Sequence, residues 1–238
     1  MKKDFLIIKT GNTVSRLLKT GEDFEDWIIA GTGLEPQRFI TASIFQGEPL
    51  PDQEGLKGIF ITGSPAYLTD GAGWNQVAAK YLRDAAATEI PVLGICYGHQ
   101  LLAFAFGGEV GFHPRGREMG TTMLTLLAPA ATDILFQGLP PTFPVSVSHQ
   151  QTVTRLPAQA VLLARNELEP HHAFRLGSKA WGVQFHPEFS AAITRAYLAE
   201  RADTLREEGH NPEALAAAVR ETPHSASLLR RFVQIARC

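Results

Sequence analysis

Cys96 stands in the run Pro91-Val92-Leu93-Gly94-Ile95-Cys96-Tyr97-Gly98-His99-Gln100, with a glycine two residues away on either side. Val92, Leu93 and Ile95 suit an inner strand of a parallel sheet, apolar on both faces. Leu101, Leu102, Phe104 and Phe106 then begin a helix that is apolar nearly all round and therefore buried. A sharp strand-to-helix turn needs small flanking residues, and the pattern is that of a nucleophile elbow with sulfur in place of oxygen. A thiol at the start of a helix meets the positive end of its dipole, which favours the reactive thiolate. The same spacing also suits an inert core thiol. A base and a group to orient that base decide between the two.

Trp181-Gly182-Val183-Gln184-Phe185-His186-Pro187-Glu188-Phe189 supplies both. Pro187 biases His186 to an extended conformation, and in extended chain residues two apart point the same way. Glu188 can then hold one imidazole nitrogen of His186 while the other faces a nucleophile, as in a catalytic triad. The alternative is a surface histidine beside an unrelated glutamate. Gly63-Ser64-Pro65 follows an apolar run, where a glycine-containing turn exposes backbone N–H groups. With the N–H of Tyr97 it could receive a developing oxyanion, although an ordinary turn has the same composition.

Short apolar runs alternate with helical stretches in the half of the chain that must position these groups. Strands are expected at Phe5–Ile8, Arg38–Phe45, Gly58–Thr62 and in the run before Cys96. Helices are expected at Phe24–Ala30 and Asn75–Ala87, the latter from the spacing of Val77, Ala78, Tyr81, Leu82 and Ala85. This rhythm predicts an α/β fold with a doubly wound, mostly parallel sheet and flanking helices. After Gly108, short strands at Met119–Leu127, Pro144–Ser148, Ala160–Ala164, His172–Leu176 and Ala180–Phe185 predict a smaller antiparallel portion. Helices are expected at Ala191–Glu207, Pro212–Arg220 (with Asn211 as a start signal) and Ser225–Ala236. No linker or repeat divides the chain, so residues 1–238 read as one domain, with a core over about 4–190 and a helical extension over about 191–238.

At 238 residues the chain can bury a substantial core. A net charge of −2 with interspersed signs argues against nucleic-acid and membrane-surface partners. Two cysteines, Cys96 and Cys238, make no disulfide framework and fit a reducing compartment. The start, Met1–Lys9, holds only four consecutive apolar residues, too few for a signal peptide, and no stretch reaches transmembrane length. The expected location is cytoplasmic. His171-His172 would point to opposite faces of a strand and has no companion at ligand spacing, so no metal site and no cofactor are expected. Arg115 and Arg117 read as solvated, as does the helix face bearing Arg230-Arg231, and Glu118 as structural.

Together these motifs and their order resemble the class I, triad-type glutamine amidotransferases, in the manner of the glutaminase domain of GMP synthase and free-standing proteins similar to it. The family's Gly-x-Cys-x-Gly-x-Gln appears as Gly94 to Gln100, and its His-Pro-Glu as His186-Pro187-Glu188. The resemblance covers residues 4 to 190 well and the helical tail loosely. It implies a flavodoxin-like architecture and attack by Cys96 on the side-chain amide of glutamine, forming a γ-glutamyl thioester. It also implies proton transfer by His186, which Glu188 orients, and an oxyanion hole at Ser64 and Tyr97 beside Gly63. Gln100 and the segment Ser148-His149-Gln150 match positions that hold the substrate; His149 reads equally as an exposed loop histidine. Many relatives carry Gly-Gly-Pro where this chain has Gly63-Ser64-Pro65, so a positive φ at Ser64 would carry a steric cost, and the hole would then need a partner or substrate to form. No glycine-rich phosphate loop or adenylation motif is present. The ammonia acceptor is therefore expected on a separate synthase chain. A γ-glutamyl hydrolase acting on other γ-glutamyl amides, and a regulatory binding protein with a dormant triad, remain open. A pocket with room beyond the scissile amide would favour the hydrolase, and a small closed pocket near a flat apolar surface the amidotransferase.

Overall fold

The structure is a computed structural model that describes residues 3–237; Cys238, Met1 and Lys2 lie outside the described residues. In chain order the elements are β1 (Phe5–Lys9), α1 (Ser15–Leu18), α2 (Phe24–Thr32), β2 (Phe39–Ser43), β3 (Gly58–Ile61), α3 (Trp74–Ala87), β4 (Val92–Ile95) and α4 (Tyr97–Ala105). There follow β5 (Glu109–Phe112), β6 (Glu118–Leu126), β7 (Thr142–His149), β8 (Gln151–Arg155), β9 (Val161–Arg165), β10 (Ala173–Leu176) and β11 (Ala180–Val183). The last four are α5 (Ala191–Glu200), α6 (Ala202–Glu207), α7 (Pro212–Ala218) and α8 (Pro223–Ala236).

One sheet runs in the order β2-β1-β3-β4-β11-β10-β9-β6-β7. The strands from β2 to β11 are mutually parallel, and from β11 onward every pairing is antiparallel. The parallel half is covered on both faces, and the period-2 alternation of its strands shows how. Phe5, Ile7 and Phe60 face one way, packing with Ile28 of α2 and Leu228, Leu229 and Phe232 of α8. Leu6, Ile8, Ile59 and Ile61 face the other way, onto Ala78, Ala79 and Leu82 of α3 and Leu101 and Leu102 of α4. That two-sided burial is why these strands read as unbroken apolar runs.

Three details differ from the sequence reading. A second, two-stranded sheet of β5 and β8, together with the short helix α1, adds elements that the sequence pattern does not announce. β11 stops at Val183; beyond it the chain leaves the ladder and is held by two isolated bonds, Gln184 N–H to the His172 carbonyl and His186 N–H to the Ser146 carbonyl, both 2.8 Å. The helix expected over Ala191–Glu207 breaks at Arg201, whose φ of −105° and ψ of 14° fall outside the helical range. The parallel strands β1, β3, β4 and β11 all deliver their carboxyl ends to one edge, where Thr10, Thr62–Ser64, Cys96 and His186 follow in the chain. In open α/β sheets that edge is where ligands bind. No helix among the described residues is long and apolar enough to cross a membrane.

Candidate active site

Cys96 is the single residue between β4 and α4. Its φ is 52° and its ψ −100°, a conformation that costs a non-glycine residue on the order of 1–3 kcal/mol. The neighbours hold it there. Its N–H donates to the Val183 carbonyl at 2.8 Å, and its own carbonyl accepts from Gln100 N–H at 3.2 Å. Gly98 N–H reaches the Thr62 carbonyl at 3.2 Å. The flanking glycines are needed for space: a Cβ on Gly94 would lie 2.3 Å from the Gly98 carbonyl oxygen, and one on Gly98 would lie 2.6 Å from that of Ile61. The turn is thus wedged between β3 and β11, and Cys96 is only 5% exposed.

His186 Nδ1–H donates to Glu188 Oε1 at 2.7 Å, and the ring lies near enough to Cys96 for the charges of the two groups to interact. The ring is clamped by aromatic packing, with Phe189 stacked at a centroid distance of 4.0 Å and Phe24 stacked at 6.2 Å. Gly63 lies on its edge, where an added Cβ would come within 2.9 Å of Cε1. Burial alone would push the imidazole pKa down from 6.5. The Glu188 charge, followed by the Cys96 charge, outweighs it and pushes the value up to about 10. The arrangement therefore favours an imidazolium beside the sulfur, a proton held ready for a leaving group.

The Gly63 carbonyl accepts from the hydroxyls of Thr10 at 3.0 Å and Thr62 at 2.9 Å, while Ser64 Oγ donates to the Thr10 carbonyl at 2.9 Å. Because a trans peptide sets N–H opposite C=O, the Ser64 N–H points away from those two threonines. Ser64 does not have a positive φ, so the steric cost expected of serine at this place does not arise; the strain falls on Cys96 instead.

A cavity of about 40 Å³ adjoins Cys96, and Ser64, Tyr97, Gln100, Ser148, His149 and Gln150 all contribute to its wall. The Cys96 thiol donates to the Ser148 carbonyl at 3.8 Å. Gln100 Nε2 donates to the Gln151 carbonyl at 2.9 Å and to Gln184 Oε1 at 3.0 Å. His149 is buried rather than exposed: Nε2 lies 3.0 Å from Glu118 Oε2, and Nδ1 lies 3.0 Å from the Gln151 carbonyl oxygen. Glu118 also lies 3.2 Å from His172 Nε2 and accepts from Asn166 at 2.5 Å. Burial would raise its pKa, but the His149 hydrogen bond and the nearby His172 imidazole hold it well below the usual carboxylate range. His171 turns away, its Nδ1 2.6 Å from the Val153 carbonyl oxygen.

The arginines correct the sequence reading. Arg117 is buried, not solvated, with Nε and Nη2 on the Glu208 carboxylate at 2.9 and 3.1 Å and Nη2 on Gln150 Oε1 at 3.0 Å. Arg231 is half-buried and donates to the carbonyls of Leu135 and Gln137, while Arg230 is exposed. Arg115 is exposed but donates to the carbonyls of Glu167 and Leu168. Arg117, Arg201, Tyr67 and Gln151 are further residues of the cavity wall. Sequence spacing carries no signal for them, because Arg117, Tyr67 and Gln151 are held by partners far along the chain and Arg201 is placed by the packing of the helices around it.

The family model for glutamine amidotransferase class-I matches residues 39–202. Among characterised proteins, the glutamine-hydrolysing GMP synthase of Porphyromonas gingivalis is 42% identical over 139 residues, which are 58% of this chain and 26% of that protein. In Pyrococcus furiosus, one subunit of the glutamine-hydrolysing GMP synthase is 37% identical over 161 residues, 66% of this chain and 78% of that one. The chain thus spans about a quarter of the length of the first of these relatives. Among solved structures, a glutamine amidotransferase from Thermotoga maritima superposes with a TM-score of 0.78 at 22% identity, covering 100% of both chains. Another from Methylobacillus flagellatus gives 0.70 at 24%, covering 100% of this chain and 94% of its own. At such identities these two likenesses bear on the fold.

Proposed function

The chain belongs to the class-I glutamine amidotransferases, and on that premise we propose that it releases ammonia from the side-chain amide of glutamine through Cys96, His186 and Glu188. The Cys96 thiolate attacks the amide carbon, and the N–H groups of Ser64 and Tyr97 receive the charge that forms on oxygen. The N–H of Tyr97 stands in the first turn of α4, where helix donors have no partner within the helix. His186 gives its proton to the departing nitrogen, so ammonia leaves and a γ-glutamyl thioester remains on Cys96. Water, losing a proton to His186, then attacks the thioester; glutamate leaves and the thiolate is restored. Glu188 keeps the ring oriented and stabilises the imidazolium at each stage.

The observation that carries the proposal is the strained turn that presents Cys96 to an imidazole fixed from behind by Glu188 at 2.7 Å. The cavity at Cys96 is small, which supports glutamine as substrate, and a larger one of about 460 Å³ shares Ser64, Tyr67 and Tyr97 with it, which is why the bulkier amides are the discriminating substrates. Likeness to one subunit of a GMP synthase supports delivery of the ammonia to a separate synthase chain. The test is release of glutamate and ammonia from glutamine by the protein beside a Cys96→Ala control, repeated with a panel of bulkier γ-glutamyl amides. Cys96-dependent release from glutamine, with the bulkier amides turned over poorly, is expected. Preferred turnover of the bulkier amides would replace the amidotransferase reading with a γ-glutamyl hydrolase.

A further inference from the structure

Two arginines share the cavity of Cys96, and they are in different electrostatic states. Arg117 is committed: its guanidinium is paired bidentately with Glu208 and bonded to Gln150 Oε1, which Tyr67 OH also engages at 2.5 Å. Arg201 is not paired in this way. Its Nε is buried and has no hydrogen-bond partner among the described residues, although its side chain lines the same cavity. Glu208 offsets one of the two positive charges, so the cavity wall keeps about one net positive charge from this group. A buried N–H donor without an acceptor is costly to the protein alone and is relieved by a ligand that brings one.

The backbone explains why Arg201 is held there. It occupies the break between α5 and α6, with Tyr197 and Leu198 buried on the preceding turn and Leu205 buried on the following one. These anchors fix the break against the body of the protein, so the guanidinium is presented by packed structure rather than by a free tail. A planar, permanently charged fork of N–H donors matches a carboxylate better than any neutral group.

We propose that Arg201 binds the α-carboxylate of the glutamine whose side-chain amide is cleaved at Cys96, and so sets the requirement for an amino-acid substrate. The inference rests on the amidase reading given above and adds to it a residue from the helical C-terminal part of the chain. Arg201 and Cys96 line the same small cavity of about 40 Å³, so a group bound by one is within a short chain of the other.

The test compares second-order rates of Cys96 alkylation by a glutamine-like chloroketone and by the same chloroketone lacking its carboxylate. Wild type, R201Q and R201K are each measured, with excess glutamine as protectant. Wild type should prefer the carboxylate-bearing reagent by about 10- to 100-fold, the range expected of a charged hydrogen bond. R201Q should lose most of that preference while its rate with the decarboxylated reagent stays at the wild-type value, and R201K should recover part of it. A merely structural role would slow both reagents together, and that result overturns the assignment. So does an R201Q protein that keeps the wild-type preference, in which case the amidase reading stands and Arg201 has no part in recognition. If R201Q impairs only turnover of γ-glutamylglycine and not of glutamine, the carboxylate belongs to the leaving group and the α-carboxylate assignment falls. If wild type shows neither preference nor protection by glutamine, the amidase reading fails and takes this inference with it.

Discussion

Replacing Glu188 by glutamine keeps the shape of the side chain, and its amide oxygen can still accept from His186 Nδ1, but the charge is gone. The cost follows from the geometry. An imidazolium and a carboxylate whose charges lie about 4 Å apart attract by about 4 kcal/mol at an effective dielectric constant near 20. At about 1.4 kcal/mol per pKa unit this is about three units, comparable with the displacement from 6.5 to about 10 in the intact site. Burial, which favours the neutral ring, is unchanged in the variant, so its imidazolium is lost near or below neutral pH. The assay is the pH profile of kcat/KM for glutamate release, with the pH dependence of Cys96 alkylation by iodoacetamide as a second readout. The wild-type basic limb should lie near 10 and move down by about three units in E188Q. The same shift has a stability counterpart with a definite sign. A pKa raised on folding contributes stability that is complete below 6.5 and lost as pH rises toward about 10. E188Q should lack that alkaline decline. A basic limb that stays in place in E188Q would refute the electrostatic role given to Glu188.

Two further outcomes follow from close packing and from burial. Gly98→Ala would drive a Cβ to 2.6 Å from the Ile61 carbonyl oxygen and 2.7 Å from Ile61 Cβ, so a loss of at least about 1–3 kcal/mol is expected, with reduced activity; a thermal melt at the wild-type temperature would contradict it. Glu118→Gln removes the charge that faces His149 and His172, and a loss of about 3 kcal/mol at neutral pH is expected from breaking a buried pair. Because the folded pKa of Glu118 lies below 4.5, its contribution is complete above that value and lost as pH falls. Denaturant titrations across acid pH should therefore show a flatter profile for E118Q than for wild type, and parallel profiles would count against the pairing.

The parallel half of the sheet was legible because burial on both faces leaves a composition signature: Phe5–Ile8, Gly58–Thr62 and the run before Cys96 are nearly pure apolar. The elbow was legible because its two glycines are dictated by local backbone clashes, at Gly94 with Gly98 and at Gly98 with Ile61. β5 and β8 were not, since Glu109–Phe112 is short and half-exposed, and Gln151–Arg155 alternates polar side chains whose burial comes from contacts elsewhere. Gln151, for instance, is buried because its side chain donates to Thr69 and accepts from Leu68 N–H, both more than eighty residues away. Arg117 misled for the same reason. A guanidinium in a loop-like run reads as solvated until the chain returns, 91 residues later, with Glu208. The break at Arg201 had no proline or glycine to announce it, and only the docking of α5 and α6 reveals it.

If Cys96, activated by His186, takes the γ-glutamyl group of glutamine onto its sulfur, a thioester forms on the enzyme during turnover. Rapid acid quenching during turnover of labelled glutamine, followed by intact-protein and peptide mass spectrometry, would capture that thioester. The expected result is one γ-glutamyl group per chain on the peptide that contains Cys96. It should be absent from Cys96→Ala and released by neutral hydroxylamine, as a thioester is. Glutamate formation without any such adduct, or with equal yield from Cys96→Ala, would contradict the account.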